Sequence, residues 1–421
     1  MSSMRNTLWA MALCLVLAAC GGGGGSNGGQ TAQASSPGPS PSGSASGSSG
    51  SGNVLPIHVN TSLAPTGAGY APNLPATTVT VCVHGTSQCV TVDDVLVDTG
   101  SVGLRLAASA LGSLPASLSA QTDSTGNSIG ECYAFADGRY FWGPVVRADI
   151  RLAGEVASSV PMQIDGATSG FPLTPTGCAT GYTLAHAPSL IGANGILGVA
   201  NLVQDCPDCA TNATNDIYFA CNTSNGICNS TTQSAANQVQ NPVAAFALDN
   251  NGVIVELPAI SATGQASVDG SLVFGIGTQS DNTFAATSVL GYDPILTFTT
   301  QYNGKSMTES YLDSGSNGLF FVDSSITQCS GATGWYCPTA TLALSATSTG
   351  NAGAATPASM SFMVANENTL AQTRASAFDN LAATGSSNTF DWGLPFFFGR
   401  NVYFAIAGRT APGGTAPYVA F

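Results

Sequence analysis

The chain has 421 residues, of which 44% are apolar and only 8% are charged, against roughly 25% charged residues in ordinary soluble domains. This composition excludes a disordered chain and a coiled coil, and the net charge of −14 leads us to expect no nucleic-acid partner, because an acidic surface repels phosphates. The 50 glycines and the single lysine favour short strands joined by turns over helices, and the length allows two domains or one bilobed domain.

The N-terminal residues are arranged as in a secretory signal. Arg5 is the positive region, Leu8–Ala19 is an apolar run, and small residues precede Cys20. Twelve apolar residues are too few to span a ~30 Å hydrocarbon core, which needs about 20 in a helix. The segment Leu17-Ala-Ala-Cys-Gly21 resembles the bacterial lipoprotein processing site, which implies removal of residues 1–19, a fatty acyl anchor on Cys20 and, through the following glycine, sorting to an outer membrane. The alternative is an ordinary cleaved signal followed by a chance cysteine.

The next segment, residues 20–52, is predicted to be a disordered tether. After Cys20 it consists almost entirely of Gly, Ser, Pro, Asn, Gln and Ala. Such side chains are too polar or too small to offset the entropy lost on ordering. We therefore expect a folded body that begins near residue 53 and is held close to a membrane surface.

Ten cysteines remain after Cys14 and Cys20 are set aside. An even number of cysteines in an exported chain indicates disulfides. The expected pairs are Cys82–Cys89, Cys132–Cys178, Cys206–Cys209, Cys221–Cys228 and Cys329–Cys337. The alternative is a zinc site, because four cysteines lie between residues 206 and 228 and four thiolates suffice for a structural zinc ion.

One motif occurs twice in the chain. Val95-Leu-Val-Asp-Thr-Gly-Ser-Val-Gly-Leu104 and Tyr311-Leu-Asp-Ser-Gly-Ser-Asn-Gly-Leu319 share Asp, Gly, Ser, Gly and Leu at identical spacing. Both copies follow a predicted hairpin. The first hairpin turns at His84-Gly85, and the second begins with a strand at Ile295–Phe298 and turns at Asn303-Gly304.

A second element also recurs, namely two apolar residues followed by glycine. Ile196-Leu197-Gly198 begins about 100 residues after the first aspartate, and Phe397-Phe398-Gly399 lies about 86 residues after the second. The same order of hairpin, Asp-Thr/Ser-Gly-Ser loop and apolar-apolar-Gly element therefore occurs in both halves. A duplicated lobe is the simplest explanation.

On these motifs the chain resembles the pepsin-like aspartic proteases. Further segments match in order: Asn194–Val199, a short helix at Asn241–Phe246, a strand at Gly270–Gly275 and final strands over Asn401–Phe421. The resemblance covers about residues 77–421 and implies an all-β, bilobed double β-barrel, with lobes at 53–280 and 281–421 and a cleft between them. Residues 201–240 have no counterpart and are interpreted as an inserted loop tied by disulfides.

The resemblance also implies the site residues. Asp98 and Asp313 would be a dyad, because two carboxylates about 3 Å apart hold one proton between them, and the pair can supply both the general base and the general acid for peptide hydrolysis. No metal or cofactor is needed. The implied supporting residues are Thr99 and Ser314 across the lobe interface, Gly100 and Gly315 in the loops, and Ser101 and Ser316 at the outer carboxylate oxygens. The candidates for the family's flap tyrosine are Tyr133 and Tyr140.

The resulting hypothesis is a lipid-anchored, monomeric aspartic endopeptidase that acts on polypeptides. One alternative on the same scaffold is a catalytically inactive lipoprotein that binds peptides or glycans in the cell envelope. A structural envelope protein is a further alternative. The three histidines form no His-Glu-x-x-His motif, so a metalloprotease helix is not expected.

Overall fold

A computed structural model of the chain describes residues 52–63, 71–166, 170–353 and 356–421. The predicted signal peptide, Cys20 and all of the predicted tether except residue 52 lie outside the described residues. Within them, no helix has the length and apolar character needed to cross a bilayer.

The first half of the described chain is built almost entirely of strands. The strands are β1 (Val54–Val59), β2 (Pro75–Cys82), β3 (Cys89–Asp98), β4 (Val102–Ala107), β5 (Ser119–Ala120), β6 (Ser128–Ala134) and β7 (Arg139–Leu152). They continue with β8 (Glu155–Asp165), β9 (Thr183–Leu184), β10 (Gly195–Val199), β11 (Tyr218–Asn222), β12 (Ile227–Ser230), β13 (Gly252–Leu257) and β14 (Val268–Phe274). Helical structure is limited to α1 (Ala187–Leu190) and to short 3-10 helices at Ala108–Ala110, Leu114–Ser117, Pro207–Ala210, Ala235–Asn237 and Pro242–Ala245.

The second half has the same character. Its strands are β15 (Val289–Gly291), β16 (Phe298–Tyr302), β17 (Lys305–Asp313), β18 (Leu319–Phe320), β19 (Leu342–Gly350) and β20 (Ala358–Val364). They are followed by β21 (Ala382–Ala383), β22 (Asp391–Gly393), β23 (Arg400–Ala405), β24 (Thr410–Ala411), β25 (Gly414–Thr415) and β26 (Tyr418–Ala420). The helices are α2 (Glu367–Thr373) and a 3-10 turn at Leu394–Phe396. The predicted all-β fold is therefore confirmed.

Each half contains the predicted hairpin before its aspartate. Strands β2 and β3 pair antiparallel, and β16 pairs with β17 so that Tyr302 lies opposite Lys305. The two-residue turn between these strands has φ of 49° at Asn303 and 72° at Gly304. Positive φ at both positions is the requirement of the turn that Asn-Gly favours.

The predicted strand at Ile295–Phe298 is wrong at its beginning. Strand β16 starts only at Phe298, because the preceding residues form a turn around Asp293. The Asp293 carboxylate accepts hydrogen bonds from the backbone N–H groups of Ile295 (3.1 Å) and Thr297 (3.0 Å), and Leu296 has a φ of 55°. A side chain that satisfies backbone donors in this way competes with strand pairing.

A crossing strand lies behind each aspartate, between the hairpin and the next strand of the sheet. In the first half β10 pairs parallel to β3, with Gly198 opposite Asp98, and antiparallel to β4. In the second half β22 pairs parallel to β17, with Gly393 opposite Asp313, and antiparallel to β18. The two halves therefore repeat one local topology.

The first crossing element is the predicted Ile196-Leu197-Gly198, but the second prediction is wrong. Asp391-Trp392-Gly393, not Phe397-Phe398-Gly399, occupies this place. Phe398 instead forms a bridge with Leu257, and the chain then enters β23. The aromatic residues 396–398 are buried in the hydrophobic core, which explains why an apolar-apolar-Gly pattern occurs there as well.

Strand pairing joins the halves through β23, which pairs antiparallel with β13 along its whole length. Strand β26 of the second half pairs with β23 and β15 and so extends this shared sheet. One continuous hydrophobic core includes side chains from both halves. In the second half this core is densely aromatic, and the rings of Phe390 and Trp392 stack with their centroids 3.9 Å apart.

The segment interpreted as an insertion, residues 201–240, contains β11 and β12. Strand β11 pairs antiparallel with β6, so this segment extends the sheet of the β6–β7 hairpin. The predicted helix at Asn241–Phe246 is a 3-10 helix at Pro242–Ala245, and the Asn241 side chain caps it by accepting the N–H of Val243.

Candidate active site

The two Asp-Thr/Ser-Gly loops face each other at close range. The backbone N–H of Gly100 donates to Oδ1 of Asp98, and the N–H of Gly315 donates to Oδ1 of Asp313, both at 2.8 Å. A Cβ on Gly100 would lie 2.6 Å from the carboxyl carbon of Asp313, and a Cβ on Gly315 would lie 2.7 Å from Oδ1 of Asp98. Only glycine allows each loop to approach the opposite carboxyl so closely.

A serine three residues after each aspartate binds the outer carboxyl oxygen. The hydroxyl of Ser101 donates to Oδ2 of Asp98, and Oγ of Ser316 lies 2.8 Å from Oδ2 of Asp313. The two halves differ in one respect, because Oγ of Ser316 also lies 2.7 Å from Oδ2 of Asp391. The structure thus brings a third carboxyl to the site.

Four hydrogen bonds connect the loops to each other. The backbone N–H of Ser314 donates to Oγ1 of Thr99 (2.9 Å), and the N–H of Thr99 donates to Oγ of Ser314 (3.1 Å). Each hydroxyl also donates to a backbone carbonyl of the opposite half. The Ser314 hydroxyl donates to the carbonyl of Val97 (2.8 Å), and the Thr99 hydroxyl donates to the carbonyl of Leu312 (3.4 Å). The relative position of the two carboxyls is therefore set by neutral, buried side chains.

Both carboxyls are withdrawn from solvent, with 4% of Asp98 and 1% of Asp313 exposed. Burial raises the pKa of Asp313 well above its usual range, because it disfavours the charged form. The negative charge of Asp98 and a hydrogen bond to Asp98 raise that pKa further. Two carboxyls in hydrogen-bond contact can share a proton, which makes this arrangement suitable for acid–base chemistry.

The two flap candidates lie on opposite faces of the β6–β7 hairpin. The Arg105 guanidinium stacks over the Tyr133 ring, with its central carbon 3.5 Å from the ring centroid. Burial raises the Tyr133 pKa most, the charge of Arg105 opposes this, and the charges of Asp205 and Asp98 add to the increase. Tyr140 packs instead in the cluster around the Cys132–Cys178 disulfide.

A buried ion network positions this hairpin. A single nitrogen of Arg105, Nη2, lies 2.6 Å from Oε1 of Glu131 and 3.0 Å from Oδ2 of Asp205. The hydroxyl of Tyr218 donates to Asp205 at 2.7 Å. Glu131 is in the β6–β7 hairpin, whereas Asp205 and Tyr218 are in the 201–240 segment. Because Arg105 also contacts Tyr133, the network joins that segment to this flap candidate.

All ten cysteines expected to form disulfides do so, in the five predicted pairs. The alternative of a zinc site among the cysteines of residues 206–228 is wrong, because all four sulfurs are in disulfide bonds. Cys329 and Cys337 also lie close to Glu367, but their sulfurs are bonded to each other and are not free thiolates. The disulfides indicate an exported protein.

Sequence reasoning missed Asp391. The expected pattern has two apolar residues before glycine, and the acidic residue in Phe390-Asp391-Trp392-Gly393 breaks it. A pattern of one apolar residue followed by glycine, downstream of the second aspartate, fits this segment as well as Phe398-Gly399.

Comparison with known proteins gives two positive findings. A family model described as "Protein of unknown function (DUF3443)" matches residues 49–421. Among solved structures, the chain is similar to the aspartic proteinase from Irpex lacteus, at 15% identity over 87% of this chain and 95% of that chain, with a TM-score of 0.45. No curated protein matches the chain.

Proposed function

The chain belongs to the family described as "Protein of unknown function (DUF3443)", and we propose that this member is an aspartic endopeptidase with Asp98 and Asp313 as its catalytic dyad. The observation that carries the proposal is the contact between these two buried carboxyls, which are held by equivalent glycine and serine donors in each half of the chain.

The surroundings of the two carboxyls assign their roles. Burial and the neighbouring charge of Asp98 favour a proton on Asp313. Asp98 is then the ionised member, with hydrogen bonds from Gly100 and Ser101. In this state Asp98 accepts a proton from the attacking water, while Asp313 donates its proton to the oxygen of the scissile carbonyl.

The reaction needs no group beyond the dyad and water. The new bond joins the water oxygen to the carbonyl carbon, and the water's proton moves to Asp98. Collapse of the tetrahedral intermediate breaks the C–N bond, and the leaving nitrogen takes that proton from Asp98. One hydroxyl of the intermediate returns a proton to the Asp313 carboxylate, which releases the carboxylic acid product and restores the dyad. The rigid connection through Thr99 and Ser314 keeps both carboxyls oriented throughout, so little reorganisation is required.

The remaining parts of the proposal concern location and partners. The substrate is a polypeptide, the lobes are residues 53–280 and 281–421, and the protein acts as a monomer. A lipid on Cys20 anchors it to the outer membrane through the 20–52 segment. Labelling of expressing cells with radioactive palmitate would test the anchor: wild type should incorporate label and Cys20→Ala should not, whereas equal labelling would reject it.

The activity itself is testable with the purified full chain. We expect cleavage of an unfolded protein substrate that is fastest at mildly acidic pH, where the singly protonated dyad is most populated. A transition-state mimic of the pepstatin type, which places a hydroxyl between the carboxyls, should inhibit cleavage, and a metal chelator should not. Absence of cleavage from pH 3 to 8 would reject the proposal and favour a peptide- or glycan-binding envelope protein.

A further inference from the structure

Asp391 occupies a position that carries an apolar residue in the other half of the chain. It is the first residue of β22 and lies two residues before Gly393, which faces Asp313. The equivalent residue of β10 is Ile196, two residues before Gly198. Only 2% of Asp391 is exposed. A carboxyl has therefore been buried where an aliphatic side chain fills the same place in the first half.

The hydrogen bonds around Ser316 require a proton on a neighbouring carboxyl. Oγ of Ser316 is 2.8 Å from Oδ2 of Asp313 and 2.7 Å from Oδ2 of Asp391. One hydroxyl has one proton and can donate to only one of them. The second contact is a hydrogen bond only if the hydroxyl accepts a proton there, so one of the two acids is neutral.

The other oxygen of Asp391 identifies this residue as a neutral acid. Its Oδ1 is buried and has no hydrogen-bond partner among the described residues. An ionised carboxylate buried with one bare oxygen is costly, whereas a neutral acid tolerates an unpaired carbonyl oxygen far better. The proton on Asp391 therefore lies on Oδ2 and points to Ser316.

We propose that Asp391 is a third carboxyl of the site, a neutral positioning residue that donates its proton to Oγ of Ser316 and so directs the Ser316 hydroxyl onto Oδ2 of Asp313. The inference rests on the proposed function. When Asp313 gives its proton to the scissile carbonyl it becomes a carboxylate, and a hydroxyl already aimed at Oδ2 stabilises that charge. A preoriented donor stabilises the charge without a cost of reorganisation.

The titratable groups that the described residues place around Asp391 are two acids and two tyrosines, and a charge on an acid opposes a negative charge on Asp391. Strand β17 brings Asp313 and Tyr311, the loop of the first half brings Asp98, and the segment before β16 brings Tyr292. Strand β18, on the other side, is formed by Leu319 and Phe320. Burial raises the pKa of Asp391 well above its usual range, and the charge of Asp98 raises it further.

Two substitutions of Asp391 test whether it acts as a hydrogen-bond donor or only fills space in the core. Asp391→Asn keeps an N–H that can donate to Ser316, and Asp391→Leu keeps the volume without a donor. We expect kcat of Asp391→Asn to stay within about twofold of wild type and kcat of Asp391→Leu to fall by about tenfold with KM unchanged, the effect of one transition-state hydrogen bond. Equal kcat for the two variants would overturn the inference.

Thermal unfolding tests the proton on Asp391 without requiring proteolysis. A carboxyl whose folded-state pKa is raised stabilises the fold below its unfolded pKa of about 3.9 and loses that contribution as pH rises. The Tm of Asp391→Asn minus that of wild type should therefore increase from pH 4 to pH 8. A constant difference, or one that increases towards acid, would overturn the inference.

Asp149→Asn is the matched control for that measurement. Burial opposes ionisation of Asp149, but hydrogen bonds from His84 and from the backbone of Ser159 and Gly85 lower its pKa. Its substitution should therefore destabilise the protein at every pH above about 4, so the Tm of Asp149→Asn minus that of wild type should not increase from pH 4 to pH 8. If wild type cleaves nothing while Asp391→Asn shows the predicted Tm trend, the endopeptidase proposal fails and the neutral third carboxyl stands.

Discussion

Oγ1 of Thr99 accepts a 2.9 Å hydrogen bond from the backbone N–H of Ser314, and the backbone N–H of Thr99 donates in return to Oγ of Ser314. Neither residue carries a charge, and both are buried. The two catalytic candidates, one residue before each of them, are thus held at a separation that does not depend on their own state of ionisation.

Thr99→Val removes the acceptor for the N–H of Ser314 while keeping the shape of the side chain. A buried donor left without a partner costs about 1–3 kcal/mol, so we expect the free energy of unfolding in urea to fall by that amount. Thr91→Val, on the exposed face of β3, is the control and should change stability by less than about 0.5 kcal/mol. Equal effects of the two would show that the connection between the loops does not stabilise the fold.

Arg105→Met should destabilise the protein strongly. The arginine is fully buried, and its removal leaves the carboxylate of Glu131 without its cation, which costs about 3–5 kcal/mol for buried pairs. Chemical denaturation measures this loss. The control is Arg151→Met, at an exposed position of β7; a similar small change for both variants would contradict a stabilising role for the buried network.

The pH dependence of stability should include a contribution from His186. Its Nδ1 lies 2.8 Å from Oδ1 of Asp165, and this hydrogen bond, against opposing burial, raises the His186 pKa. The stabilisation is complete below the unfolded pKa of about 6.5 and is lost as pH rises through the raised folded value. His186→Gln should therefore lower Tm more at pH 5.5 than at pH 8.5. In an Asp165→Asn background the difference should not vary with pH; persistence of the trend there would contradict the pairing.

The two flap candidates should separate in kinetics. Tyr133 contacts Arg105 of β4, the strand that directly follows the Asp98 loop, so Tyr133→Leu should reduce kcat/KM by about tenfold or more through lost positioning of substrate over the dyad. Tyr140 packs against a disulfide on the other face, so Tyr140→Leu should lower Tm and leave kcat/KM nearly unchanged. The reverse result would assign the flap to Tyr140.

Much of the fold is predictable because its signals are local. Alternating apolar residues, the Asn303-Gly304 turn and the two Asp-Thr/Ser-Gly-Ser loops each depend on a few neighbouring residues, and their repetition identifies the duplicated topology. Four of the five disulfide pairs join cysteines three to eight residues apart and follow from short spacings for the same reason, whereas Cys132–Cys178 spans 46 residues. Strand β16 begins later than predicted because the Asp293 side chain accepts hydrogen bonds from backbone N–H groups and forms a turn. The periodicity of apolar residues contains no information about such a bond.

The third carboxyl is not predictable in the same way. Asp391 reaches the site only because β22 pairs with β17 from about 80 residues away, and Phe397-Phe398-Gly399 offers a better local match to the expected pattern. Likewise, the contact of Arg105 with Tyr133 depends on packing between strands that are distant in sequence. Long-range pairing decides these features, and a single sequence does not display it.

Substitution of the dyad tests the central claim most directly. Asp98→Asn and Asp313→Asn are isosteric, and an amide cannot relay the proton, so each purified variant should keep its fold and lose cleavage of an unfolded protein substrate at mildly acidic pH. The wild-type protein, prepared in parallel, should cleave it and be inhibited by a pepstatin-type mimic. Equal cleavage by the wild type and both variants would contradict an Asp98–Asp313 endopeptidase.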